Sequence, residues 1–342
     1  MKRPYRILCV DDEEFNLDLL EALLRPHGYE TLTAFNGRET LSALATKPVD
    51  LVLLDINLPV MSGLEVCKRI KSDPQLSHIP VIMITSLDTG ENKMKAMEAG
   101  AEEFLSKPFD QAELLLRIGN ILRSSDYENA FEYLILALAR AAEANDIDTG
   151  NHILRVGEYA ALVARELKQS EKFTELIHSQ ATLHDVGKVH ISSHILKKSG
   201  RLTGKEMEEM KRHTTFGAMI IGDHPRLEFG RRIALCHHER WDGTGYPKGL
   251  RGKEIPFEAR ITAICDCYDA LRNSRIYKPN YDHGGAFRII TEGDDRMKPA
   301  HFDPVVMAAF MKLAPQFDEL YETMRDGVKP GASLEITATE KQ

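Results

Sequence analysis

The sequence predicts two folds in series: a doubly wound α/β domain on a five-stranded parallel sheet, then an all-α helical bundle. Three observations carry this. Over the first 123 residues, short β-like apolar runs alternate with amphipathic helical segments, the signature of βαβ units. From Tyr127 onward helical periodicity dominates and convincing strands are few. A chain of 342 residues has room for two cores.

The apolar runs at 7–10, 31–34, 51–54, 81–84 and 103–105 read as strands, and segments such as 14–24 and 63–71 as helices between them. In such sheets ligand chemistry collects at the carboxyl ends of the strands. Asp11 and Asp12 end the first strand and Asp55 the third, Thr85 ends the fourth, and Lys107 follows the fifth. Three carboxylates converging on one edge repel unless they hold a hard cation such as Mg²⁺. A lysine and a hydroxyl across the same pocket suit a phosphoryl group.

Composition narrows the function classes. Apolar content is 43%, and no stretch approaches the ~20 apolar residues of a membrane span. The first residues read as a strand rather than a secretion signal. A formal charge of −8 argues against general nucleic-acid binding, so an anionic substrate needs bound metal or a few placed cations. Cys9, Cys67, Cys236, Cys265 and Cys267 show no CxxC spacing, which favours a reduced, cytoplasmic setting.

Residues 4–123 resemble the receiver domain of two-component response regulators. Asp11-Asp12, Asp55 in Asp-Ile-Asn-Leu-Pro-Val-Met-Ser-Gly, Thr85-Ser86 and Lys107-Pro108 match in order. The resemblance implies a flavodoxin-like domain over 1–123, with Asp55 as phosphoacceptor and Asp11 and Asp12 as Mg²⁺ ligands. It gives Thr85 and Lys107 to the phosphate, and names a sensor histidine kinase as partner. It also implies a cis Lys107–Pro108 peptide and an aromatic switch at Phe104.

At the junction, 111–122 reads as the last helix of this domain, with Leu114, Leu115, Ile118 and Ile121 on one face. Ser125 and Glu128 have capping-box spacing, predicting a fresh start for a linker helix over 124–145 that leads into a second domain over 127–325, with a tail at 326–342. Phe131, Leu134, Ile135 and Leu138 recur at helical spacing. They are either core of the second domain or the seam of a dimeric signalling helix relaying phosphorylation from Asp55 within a homodimer.

The second domain is marked by His184-Asp185 in Ala-Thr-Leu-His-Asp-Val-Gly-Lys. An adjacent imidazole and carboxylate are expensive to bury unless something binds both, and a divalent metal does so. His152, His213, His237, His238 and Asp266 supply further ligands. Seven N/O ligands without cysteine suit Fe, Mn, Ni or Zn in hydrolysis better than a structural zinc. Each ligand rides on a helix whose other positions are apolar, His184 near the end of one over 171–184, so all can point into one bundle core. Such a frame can hold two ions ~3.5–4 Å apart. Asp185, with two oxygens, is the best bridging ligand. Lys188, one turn after His184, can reach a phosphate oxygen. His178, His190, His194, His224, His283 and His301 read as packed or solvated.

His184-Asp185-Val-Gly-Lys188, His237-His238-Glu239 and Gly245-Tyr246-Pro247 resemble the HD-GYP subgroup of the HD phosphohydrolases, over about 127–320. The resemblance implies a metal-dependent phosphodiesterase that opens cyclic di-GMP to linear pGpG, GMP or both, with Lys188 and the metal bridge Asp185 as catalytic groups. The implied ligands are the seven named above, for two metals and an optional third, Fe or Mn ahead of Ni or Zn. The third metal uses an acidic residue four before the first histidine, here Asp148; an N-cap role for Asp148 is equally open. Arg275 and Lys278 match the pair that grips the second phosphate. Tyr246 either meets ligand or wedges its Gly-rich loop, a loop also associated with docking diguanylate cyclase domains. The competing readings are another cyclic dinucleotide such as cyclic GMP-AMP, a general nucleotidase, or a non-catalytic adaptor that binds cyclic dinucleotide or partner proteins.

Overall fold

The computed structural model describes residues 3–73, 75–86, 90–143, 151–273 and 281–325, which divide into two compact units, Met1–Ala130 and Phe131–Gln342. In the first unit β1 (Arg6–Val10), β2 (Glu30–Ala34), β3 (Leu51–Asp55), β4 (Val81–Thr85) and β5 (Glu103–Ser106) alternate with α1 (Glu14–Leu24), α2 (Gly37–Thr46), α3 (Gly63–Ser72) and α4 (Gly90–Glu98). The strands pair in parallel in the order β2-β1-β3-β4-β5, and each lies within one residue of its expected bounds.

The two-residue period sorts the strand side chains between two cores. Ile7, Cys9, Leu51, Leu53, Ile82 and Ile84 pack with Leu17, Leu20 and Leu24 of α1. Leu8, Val10, Val52, Leu54, Val81 and Met83 pack on the other face with Val66 and Ile70 of α3. Near-complete burial of each such Leu or Ile contributes about 1.5–3 kcal/mol. Register sets Val10 opposite Leu54 and Asp55 opposite Ile84. The strand ends are therefore level, and Asp11, Asp55 and Thr85 share one edge.

The expected break near Ser125 does not occur. A single helix, α5, runs Gln111–Glu143. No glycine or proline lies between residues 120 and 143, and serine is only mildly unfavourable inside a helix. Leu114, Ile118 and Leu122 are buried against the first core, and Asp126 accepts a hydrogen bond from the Tyr5 hydroxyl. Further on, Ile135, Ala139 and Ala142 enter a core of the second unit, with Phe131 packed beside them. Leu134 and Leu138, expected on the same stripe as Ile135, are exposed together with Tyr133.

The second unit is helical, as expected. It comprises α6 (Asn151–Glu166), α7 (Glu171–Gln180), α8 (Ser193–Leu196), α9 (Gly204–Lys211), α10 (His213–Ile221), α11 (Glu228–Cys236), α12 (Phe257–Arg272), α13 (His283–Glu292) and α14 (Pro304–Thr323). Its main core joins Val156, Tyr159 and Val163 of α6, Ile261, Ile264 and Tyr268 of α12, and Phe310 and Phe317 of α14. Tyr159 stacks on Phe317 with ring centroids 4.4 Å apart.

The helix expected over 171–184 stops at Gln180. The chain tightens into 3₁₀ turns at Ala181–Leu183 and Val186–His190. Packing at the second turn is close: a Cβ on Gly187 would lie 1.9 Å from the His213 carbonyl oxygen and 2.4 Å from the Gly217 nitrogen. The 186–190 turn thus seats its backbone directly on the start of α10. We predict that Gly187→Ala destabilises the second unit by at least about 3 kcal/mol and impairs metal uptake, measured by denaturant unfolding and elemental analysis.

Candidate metal centre

On the receiver-like edge, the Lys107 ammonium donates to Asp11 and to Asp55, each at 2.6 Å. Asp11 also accepts from the Asn16 amide at 2.9 Å and the Glu13 backbone N–H at 3.0 Å. Burial opposes charge on Asp11 and Lys107 alike. Their mutual hydrogen bond prevails, lowering the Asp11 pKa and raising that of Lys107. Thr85 is buried at the end of β4 and Phe104 is buried in β5. Asp12 is exposed. The Lys107–Pro108 peptide is cis.

In the second unit the expected ligands reach one locus from separate elements. His152 lies in the first turn of α6, and His213 opens α10. His237 caps the C-terminus of α11, with His238 next, and Asp266 lies inside α12. Most ligands therefore sit at helix ends and turns, where the expectation had them riding on helices. A helix end lets the chain change direction and aim a short side chain that a regular helix would point elsewhere.

The donors fall into adjoining groups. His152, His184 and Asp266 each offer an atom within 4.8 Å of the others, and so do Asp185, His213, His237 and His238. Asp185 reaches both. Its Oδ2 is 3.3 Å from His184 Nε2, while its Oδ1 is 3.3 Å from His213 Nε2 and 3.7 Å from His237 Nε2. Asp266 Oδ1 is 3.6 Å from His152 Nε2 and 3.8 Å from His184 Nε2. One carboxylate with an oxygen turned to each group is the arrangement a bridging ligand requires.

The far side of each ring explains why Nε2 faces inward. Nδ1 of His184 contacts the Ala181 carbonyl at 2.9 Å, and that of His213 the Met210 carbonyl at 2.7 Å. His237 Nδ1 lies 3.1 Å from the Ile233 carbonyl. A carbonyl only accepts, so each Nδ1 carries the proton and leaves an Nε2 lone pair for a metal. His152 Nδ1 contacts the Asp269 carboxylate at 2.7 Å. Asp269 is itself held by Arg155 at 2.6 and 2.9 Å and by the Asn273 amide at 2.6 Å. Two inward atoms, His184 Nε2 and Asp185 Oδ1, are buried without a hydrogen bond. Such orphaned donors fit a bound cation.

Electrostatics distinguish the imidazoles: burial lowers His213 and His238, while nearby carboxylates outweigh burial and raise His152 and His184. Burial, opposed by Asp185 and aided by His237, lowers the His213 pKa to about 4. Burial and the neighbouring imidazoles lower His238 well below its ordinary value. Both are thus neutral, as metal ligands must be. Burial opposes charge on Asp185, yet Lys188 and His184 hold it ionised. Burial also works against charge on His152, but Asp269 raises it to about 9. Lys188 Nζ is 2.7 Å from Asp185 Oδ2. Asp148, Arg275 and Lys278 lie outside the described residues.

Residues 7–119 match the response regulator receiver domain family and residues 136–306 the HD domain family. A probable cyclic di-GMP phosphodiesterase of Vibrio cholerae is 34% identical over 94% of this chain and 80% of its own. A cyclic di-GMP phosphodiesterase of Thermotoga maritima is 33% identical over 94% and 93%. The cyclic di-GMP phosphodiesterase response regulator RpfG of Xanthomonas campestris pv. campestris is 34% identical over 92% and 89%. The chain belongs to the receiver-linked HD-GYP phosphodiesterases.

Three residues of this HD-GYP domain escaped the sequence reading. Asp269 follows Asp266 by three positions and looked like one more acid on α12; its role depends on α6 lying beside it. Glu239 accepts from the backbone N–H groups of Lys248 at 2.7 Å and Leu250 at 2.9 Å, pinning the Gly-Tyr-Pro loop. There Tyr246 lies against His238, ring centroids 4.8 Å apart; the adjacency of Glu239 to His237-His238 was the available signal. Glu143, the last residue of α5, is buried within ligand distance of His152 and Asp185, and burial raises its pKa to about 7. We predict that Asp269→Asn weakens metal affinity about 10–100-fold while the helical fold persists, checked by metal titration and circular dichroism.

Proposed function

We propose that this protein is a response regulator whose phosphorylation at Asp55, with Mg²⁺ on Asp11 and Asp12, controls metal-dependent hydrolysis of cyclic di-GMP to linear pGpG, GMP or both. The observation that carries the proposal is the division of the Asp185 oxygens between two imidazole groups. In this reading His152, His184 and Asp266 hold one ion, His213, His237 and His238 hold the other, and Asp185 spans them. Such ions, Fe or Mn by choice, supply an activated water and neutralise phosphoryl charge. The residues do the rest. Lys188 stands against Asp185, where its ammonium can stabilise a phosphoryl oxygen. Arg275 offers a fork and Lys278 a point charge for the second phosphate.

Thr85 and Lys107 are assigned to the phosphoryl group on Asp55. A sensor histidine kinase is the phosphodonor, and the exposed side of α5, with Leu134 and Leu138, is a face for homodimerisation. The Gly-Tyr-Pro loop remains the candidate contact for cyclase domains. A cytoplasmic setting is part of the proposal. No helix among the described residues is long and apolar enough to cross a membrane.

Asp185→Ala is expected to abolish cyclic di-GMP hydrolysis and lower the metal content of anaerobically purified protein; retained turnover with both metals bound would refute the assignment. Acetyl phosphate should change turnover of the wild type and leave Asp55→Asn unaffected. Equal rates, with receiver phosphorylation verified by mass spectrometry, would refute the coupling. Cyclic GMP-AMP assayed in parallel tests the choice of base, with cyclic di-GMP expected to be the faster substrate.

A further inference from the structure

Glu143 has the most unusual environment of any carboxylate in the second unit. It is only 4% exposed, and neither of its oxygens has a hydrogen-bond partner among the described residues. Buried acids outside the cluster of metal-ligand candidates are provided for. Asp269 has Arg155 and Asn273, Glu239 has two backbone N–H groups, and Glu258 lies 2.6 Å from Arg232 Nε. A carboxylate stripped of water and given no donor carries a heavy desolvation penalty. A cation beside it removes that penalty.

The position of the carboxylate is fixed by packing. Ala139 and Ala142, on the last turns of α5, share a core with Ile153, Leu183 and Val186. Those three are the chain neighbours of His152, His184 and Asp185. The end of α5 is therefore wedged against the same segments that carry the ligands. Glu143, His152 and Asp185 each offer one donor atom within 4.8 Å of the others.

We infer that Glu143 is a metal ligand, supplying a carboxylate to a further divalent-cation position bounded by His152 and Asp185 at the edge of the two-ion centre. This rests on the metal reading of the site given above. A carboxylate-rich corner of this kind suits a hard or borderline cation such as Mn²⁺ or Fe²⁺. The assignment moves the extra ligand from Asp148, where the motif spacing put it, to the end of the preceding helix.

The test is Mn²⁺ binding to the full-length chain, by calorimetric titration and elemental analysis of wild type, Glu143→Gln and Asp185→Ala. The wild type should take up three Mn²⁺ and Glu143→Gln two, the third weakened at least 10-fold and the others within about 3-fold of wild type. Metal-free Glu143→Gln should also unfold at a higher temperature, because the substitution removes a buried unpartnered charge. Equal stoichiometry and affinities in wild type and Glu143→Gln would overturn the inference. So would loss of all Mn²⁺ from Glu143→Gln, or a lowered unfolding temperature with unchanged uptake. Failure of the two-ion reading is distinguishable, because the wild type would then take up no Mn²⁺ or Asp185→Ala would bind as wild type does.

Discussion

The second unit is organised around the burial of one carboxylate. Asp185 sits among His184, His213 and His237 with Lys188 against one oxygen, and a charge removed from water must be compensated where it sits. The compensation is local and directional. One oxygen addresses one set of imidazoles and the other the second set. The neighbouring chain is shaped to keep it: the 3₁₀ turns on either side of His184-Asp185 present adjacent residues to a common centre, which a regular α-helix would splay by ~100°.

Around that centre, backbone does much of the positioning. Three histidines have Nδ1 committed to carbonyls of their own preceding turns, so their ring orientation follows from helix geometry. For His152 the Nδ1 partner is a side chain rather than a carbonyl. Asp269 substitutes for it, held in place by Arg155. One face of α12 thus serves twice, with Asp266 among the donors and Asp269 three residues on, behind His152.

The receiver unit applies the same logic with a different cation. Lys107 joins the acids at the strand ends, concentrating charge where the phosphoacceptor of this family lies. α5 then carries the chain onward without interruption from Gln111 to Glu143, packing Leu114 and Ile118 into one core and Ile135 and Ala139 into another. The capping-box spacing at Ser125 misled because a cap is only an option for a sequence: with both flanks helical and buried, continuing the backbone hydrogen bonds is more favourable than breaking them.

The sequence by itself determined the strands, their parallel order class, and the His and Asp residues that the fold gathers into one cluster. Strand periodicity is local, and His184-Asp185 or His-His-Glu followed by Gly-Tyr-Pro is too specific to arise otherwise. Tertiary structure alone decided that α5 is one helix, that the backbone at 186–190 seats on α10, and that Glu143 and Asp269 lie at the site. Each of those outcomes depends on what a residue meets across the fold, such as the His213 carbonyl above Gly187 or the imidazole of His152 beside Asp269. Contacts between segments distant in sequence leave no periodic trace in either segment.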